Sequence, residues 1–461
     1  MTHSISYRLI VFTFCTLLLS LIWLCSDSYA SEESSRNEQL SLSDEKFVAQ
    51  EVARGLKNPT GIDFIGENDI LVLEKNNGTV LRILNGKILP DPVLDVSVAN
   101  EVERGLLGIS VSKNMTDDKT YVFLYYTEAE SRAGQAGRGG VDNSRDIDGD
   151  SEETNGEDAK PIGNRLYKYE LVEDGSRLAN PELLLDLPYE PGPAHNGGVV
   201  TVGPDDNVYV VVGNLLANAE ERFEGYSLDQ NVKGGKAPDG RGGIIRVTQD
   251  GNIVNSKGIL GDEHPLNMYF AYGIRNGFGM DFDPVTGNLW DTENGGRYDE
   301  INLVEPGFNS GWEMIVGKAS LQEDFDQDDL VDFEGNGKYS DPEFSWETKS
   351  DFRTAPTSIV FFDSDKFGEE YENDMFVGDV RGNIYHFSLE EGRTKLLLNG
   401  SLADEVANEF SELDDSIFAK FPGLITDLKV GPDGYLYVLL YQLWDQEEAD
   451  GKLFRIVPSS I

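Results

Sequence analysis

Thiol chemistry is almost missing from this sequence. Its 461 residues hold two cysteines, Cys15 and Cys25. Both fall in an apolar N-terminal stretch, so the chain beyond it has no disulfide and no cysteine nucleophile. Histidine is scarce too: of four residues, only His195, His264 and His386 lie beyond that stretch. That poverty argues against a zinc site built on several histidines. Basic residues number 38 against 83 acidic ones, a formal net charge of −45. Such a field repels phosphate backbones, which argues against a nucleic-acid partner. There is no Gly-x-Ser-x-Gly elbow, no Walker loop and no dinucleotide-binding glycine fingerprint opening a helix. Serine-hydrolase, ATP and nicotinamide readings fall away with them.

What is present begins with an export segment. Arg8 precedes an apolar run from Leu9 to Cys25, and Ser28-Tyr29-Ala30 puts small residues around a cleavage point after Ala30. Residues 1–30 therefore read as a signal peptide. The apolar run is about 17 residues, the short limit for a spanning helix, so an uncleaved anchor is the alternative. Residues 31–46 are polar and read as a disordered linker. An exported protein is expected: secreted, periplasmic or on the cell surface.

From Phe47 to the end at Ile461, one unit recurs: an alternating apolar run, a Gly/Asp/Asn turn and a second apolar run. Gly198-Val199-Val200-Thr201-Val202 leads through Gly203-Pro204-Asp205-Asp206-Asn207 to Val208-Tyr209-Val210-Val211-Val212. Thr426-Asp427-Leu428-Lys429-Val430 leads through Gly431-Pro432-Asp433-Gly434 to Tyr435-Leu436-Tyr437-Val438-Leu439. Period-2 alternation with such turns predicts antiparallel hairpins. About six copies, spaced about 45 to 90 residues apart, predict an all-β chain, a six-bladed β-propeller of four-stranded blades, over a β-sandwich. The spacing is uneven because of long acidic insertions, the longest about 129–160. Within it Asp146, Asp148, Asp150 and Glu157 approach calcium-loop spacing, although Ser151 stands where that loop needs glycine.

Three segments could carry chemistry. His195 lies in Pro191-Gly192-Pro193-Ala194-His195-Asn196-Gly197-Gly198, a loop held open by Pro and Gly just before a strand. An imidazole there could take a hydroxyl proton near neutral pH, or simply brace a turn. Gly273-Ile274-Arg275-Asn276-Gly277 could hold an anionic or carbonyl-rich ligand. Glu293-Asn294-Gly295-Gly296-Arg297-Tyr298-Asp299-Glu300 offers backbone carbonyls and carboxylates, hard oxygen ligands suited to Ca2+.

In this order, with Glu103-Arg104-Gly105-Leu106-Leu107-Gly108 before them and Gly307-Phe308-Asn309-Ser310-Gly311-Trp312 after, the segments resemble the glucose/sorbosone dehydrogenase family. That resemblance implies a six-bladed propeller and a quinoprotein oxidoreductase. It would oxidise an aldose, or a similar alcohol or aldehyde, at C1 by hydride transfer to pyrroloquinoline quinone (PQQ). His195 would be the general base, and Arg275 and Asn276 would contact the quinone. Gly295 and Gly296 would hold the catalytic calcium, and Glu300 and Ser310 a further one. A sugar substrate and an external electron acceptor are implied as partners. The resemblance puts Glu103 at the cofactor-binding position where the family carries a glutamine. It also finds Ala194, Val199, Val380, Leu424 and Thr426 where the family carries charged side chains. The alternative is a non-enzymatic, calcium-stabilised secreted propeller that binds carbohydrate or protein.

Overall fold

The computed structural model describes residues 40–114, 119–130, 159–216, 230–255, 257–349, 352–441 and 451–459. The expected signal peptide and most of the insertion about 129–160 lie outside them. Of the expected disordered linker 31–46, the part from 31 to 39 also lies outside, while Ser41–Leu42 forms an edge strand on Ile417–Lys420.

Alternating apolar runs have become hairpins, and their turns show why. Asp205 accepts from the Asn207 backbone and from the Tyr209 hydroxyl, the latter at 3.0 Å. Asp433 repeats the device, accepting from the Tyr435 backbone and, at 3.0 Å, from the Tyr437 hydroxyl. One carboxylate thus closes the turn and pins the first tyrosine of the returning strand.

Among the described residues the hairpins assemble into six sheets. Their innermost strands are, in chain order, Pro59–Gly66, Leu106–Asn114, Val200–Val202, Gly277–Phe282, Pro356–Phe361 and Leu424–Val430. Each packs on the next, and the last packs back on the first, so the sheets form a closed ring. An apolar core fills each gap between neighbours. The gap between sixth and first holds Leu56, Ile62, Ile70, Val72, Leu439 and Leu453, all but dry. The two ends of the chain build the sixth sheet together, because Phe47–Leu56 pairs antiparallel with Gly451–Pro458.

The expected architecture of uniform four-stranded blades is corrected here. From first to sixth the sheets have five, four, six, five, five and four strands. The surplus comes from short strands donated by loops. Phe308–Asn309 joins Tyr269–Tyr272 in parallel, Lys338–Tyr339 joins Phe308–Asn309, and Val406–Ala407 joins Phe344–Glu347. Pairings of one or two residues leave no periodic signal in a sequence.

The innermost strands also carry a polar lock. Asp63, Asp281 and Asp427 each accept a backbone N–H from an adjoining sheet: Val111 at 2.6 Å, Phe361 at 2.8 Å and Ile62 at 2.9 Å. Lys429 stands among them. Burial alone would lower its ammonium, but Asp427, Asp63 and Asp281 outweigh that and raise it. Burial pushes Asp281 and Asp427 up to about 6, with Lys429 opposing. All four are only half-buried, deep in the molecule yet in reach of water. Removing one partner of a dry charge cluster costs about 3–5 kcal/mol, and access to water reduces that here to about 2 kcal/mol. Lys429→Met should therefore lower unfolding stability by about 2 kcal/mol in urea titrations. The loss should be larger at pH 8 than at pH 5, because the aspartates are charged above their folded pKa and protonated below it. An equal or smaller loss at pH 8 would refute this assignment.

Candidate functional site

In every sheet the entry to the innermost strand lies beside the exit of the second. Loops entering Leu106–Asn114, Val200–Val202 and Gly277–Phe282 carry Glu103, His195 and Arg275-Asn276. Exits from Asp69–Glu74, Asn207–Val212 and Leu289–Glu293 carry Lys75, Asn214 and Asn294. All six segments therefore meet at one end of the ring. His195 has φ 60, a left-handed conformation paid back by a bond from its own N–H to Glu103 Oε2 at 2.6 Å. The same oxygen accepts from Asn276 Nδ2 at 3.1 Å. Asn214 N donates to the Arg275 carbonyl at 2.9 Å. Gly213 lets these loops close: a side chain there would strike the carbonyls of His195 and Arg275.

The Arg275 guanidinium lies 5.2 Å from the Trp312 ring centroid and donates through Nη1 to the Asn294 carbonyl. Lys75 Nζ donates to the carbonyls of Val102 at 3.0 Å and Asn100 at 3.3 Å, and to Asn76 Oδ1 at 3.1 Å. Burial lowers this ammonium to about 8, with Glu103 opposing. A cavity of about 160 Å³ adjoins the cluster, lined in part by Asn214, Asn231, Gly273, Trp312 and Met314.

The structure thus brings together His195, Arg275, Asn276 and Glu103. Glu300 and Ser310 also meet, with Ser310 Oγ donating to Glu300 Oε2 at 3.4 Å, but in the interior of the fourth sheet. Gly295 and Gly296 follow Asn294, whose carbonyl accepts from Arg275, in the turn before Tyr298–Val304, with Gly296 exposed. Among the described residues, no group of three or more His, Cys, Asp or Glu could hold a metal ion. The sequence reading overlooked Asn214, Lys75 and Asp291. Asp291 was legible in principle, as an acid two residues before Glu293 and so on the same face of the strand.

Asp291, Glu293 and Glu300 share one amide. Asn302 Nδ2 lies 3.1, 3.2 and 3.4 Å from their oxygens. Burial pushes all three up, Glu300 to about 8 with Glu293 adding to it. The unpartnered atoms here, Asp291 Oδ2 and Asn302 Oδ1, are acceptors lacking a donor, which a bound proton would supply. Shared protons would satisfy these acceptors, as would a hard cation. A folded pKa above the unfolded one gives stability that is complete below about pH 4.5 and lost as pH rises through 8. Glu300→Gln, a neutral copy of the protonated acid, should therefore be more stable than the parent at pH 8.5 by about 1–3 kcal/mol. The difference should vanish near pH 5 in denaturant titrations. A variant less stable than the parent at pH 8.5 would refute the protonated state.

The family model described as Glucose / Sorbosone dehydrogenase matches residues 56–455. The chain belongs to the glucose/sorbosone dehydrogenase family. An uncharacterized Synechocystis protein is 24% identical to it over 440 residues, 93% of this chain and 90% of its own. The crystal structure of a putative oxidoreductase (glucose dehydrogenase) from Thermus thermophilus shares the fold. Its TM-score is 0.62 at 22% identity, covering 89% of this chain and 100% of that one. The PQQ-bound aldose sugar dehydrogenase of Streptomyces coelicolor gives a TM-score of 0.59 at 21% identity, covering 90% and 99%. Family membership supports an oxidoreductase role on a small sugar-class substrate, with an external electron acceptor and quinone use in general.

The tricarboxylate PQQ does not fit the residues present. Donors that could grip an anion, His195 N–H and Asn276 Nδ2, are already bound to the Glu103 carboxylate. Arg275 Nη1 is bound to a carbonyl, and Lys75 to three oxygens. The other candidate cations, Arg297, Arg353 and Arg381, are exposed, and Arg297 and Arg381 lie over Tyr298 and Phe410. An anionic cofactor would meet a carboxylate where it needs a donor.

Proposed function

We propose that the protein is an exported oxidoreductase that acts on the carbinol or carbonyl carbon of an aldose or similar small alcohol or aldehyde. His195 exchanges the proton on the substrate oxygen, and the acceptor is a quinone less anionic than PQQ. What supports this reading is the meeting of His195, Arg275, Asn276 and Glu103 at one end of the ring, on a chain of this family. A single imidazole among amides and a guanidinium suits proton exchange with a hydroxyl or carbonyl oxygen. Glu103 sets the charge the acceptor must have.

The test is dye reduction by the purified mature protein over a panel of aldoses, with an uncharged benzoquinone or with PQQ and calcium. Aldose-dependent reduction with the uncharged quinone, exceeding that with PQQ, is expected. No aldose-dependent reduction with either would discard the enzymatic reading. A second reading, a propeller that only binds carbohydrate or protein, draws on one observation. His195, Arg275 and Asn276 are 2%, 6% and 3% exposed, already packed on each other.

A further inference from the structure

The side-chain amide of Asn214 lies among three groups, two of which have a fixed hydrogen-bonding sense. Trp312 Nε1 can only donate, and the Arg275 carbonyl can only accept. The amide satisfies both when its oxygen faces the indole at 2.8 Å and its nitrogen faces the carbonyl at 3.2 Å. Turned the other way, it sets oxygen against oxygen and N–H against N–H. So oriented, its nitrogen is also the atom 2.6 Å from His195 Nδ1. An amide nitrogen donates and does not accept. Nδ1 is therefore the acceptor, and the proton of the neutral ring sits on Nε2.

We propose that Asn214 is a positioning residue that holds His195 as the neutral Nε2–H tautomer, so that the imidazole meets substrate as a hydrogen-bond donor to an oxygen. The inference deepens the functional reading above and rests on it only for the statement that His195 meets a substrate. For Nε2 to accept a hydroxyl proton, its own proton must first move to Nδ1. The Asn214 amide must then turn over and give up its bonds to Trp312 and to the Arg275 carbonyl. The resting site is thus set to polarise a carbonyl, as a neutral imidazole can, ahead of deprotonating an alcohol.

Nitrogen-15 NMR of histidine-labelled protein at pH 8 reads this directly. The chain has four histidines, so ring signals are few, and a His195→Asn sample identifies those of His195. Wild type should show a protonated, pyrrole-type shift at Nε2 and a pyridine-type shift at Nδ1. In Asn214→Asp the new carboxylate can only accept, so the pattern should reverse. A wild-type spectrum with the proton on Nδ1 overturns the proposal, and so does an Asn214→Asp spectrum identical to wild type. Should that variant fail to fold, the wild-type spectrum decides alone. A protein inactive on every sugar, yet with Nε2 protonated, would remove the oxidoreductase reading and leave this inference standing.

Discussion

His195→Asn should lower aldose-dependent dye reduction by about 10²–10⁴-fold, the usual share of a proton-transfer group. The choice of asparagine follows from the backbone. At φ 60 most side chains strain the chain, and asparagine is among those that tolerate the left-handed region best. The N–H that binds Glu103 belongs to the main chain and survives the change. The variant should therefore keep its thermal transition within a few degrees of wild type while losing turnover. That separation is the point of the experiment. A glutamine at this position would confound strain with chemistry. Retained turnover in a folded His195→Asn protein would show that the imidazole does not touch the reacting oxygen, and the proposed mechanism would have to be abandoned.

Much of the ring was legible because its signals are local. The turn carboxylates Asp205 and Asp433 sit four residues before the tyrosines they bind, within one hairpin. Alternation in Val208-Tyr209-Val210-Val211-Val212 states which face is buried with no help from elsewhere. The grouping of His195 with Arg275 and Asn276 came only through resemblance, since no period links residues about 80 positions apart. Strand count was misjudged for the same reason. Phe308–Asn309 and Val406–Ala407 are strands only because a neighbouring edge is there to receive them. Lys429 looked like one polar residue on an alternating strand. Its partners Asp63 and Asp281 arrive from two other sheets, far from it in sequence. Asn214 follows a glycine at a strand end, where a turn is the plain expectation, and its role depends on Trp312, which lies far along the chain.

Glu103→Gln should tighten PQQ binding by up to about a hundredfold, since one charge-assisted contact is worth about 1.5–3 kcal/mol. Glu103 is acceptor-only and negative, and it occupies two donors, His195 N–H and Asn276 Nδ2. Glutamine keeps an oxygen for those donors and turns an N–H outward, so a repulsive group becomes an attractive one without opening the packing. Lys75 adds a pH signature. Burial brings its ammonium down to about 8, and Glu103 is the charge that opposes the fall. Without that carboxylate the ammonium titrates lower still. The gain in affinity should therefore be greatest near pH 6 and fade as pH rises toward 8, where the cation is lost. Equilibrium dialysis, reading retained quinone absorbance at the two pH values, measures both effects. Unchanged or weaker retention in the variant would mean that the internal carboxylate is not what keeps an anionic quinone out.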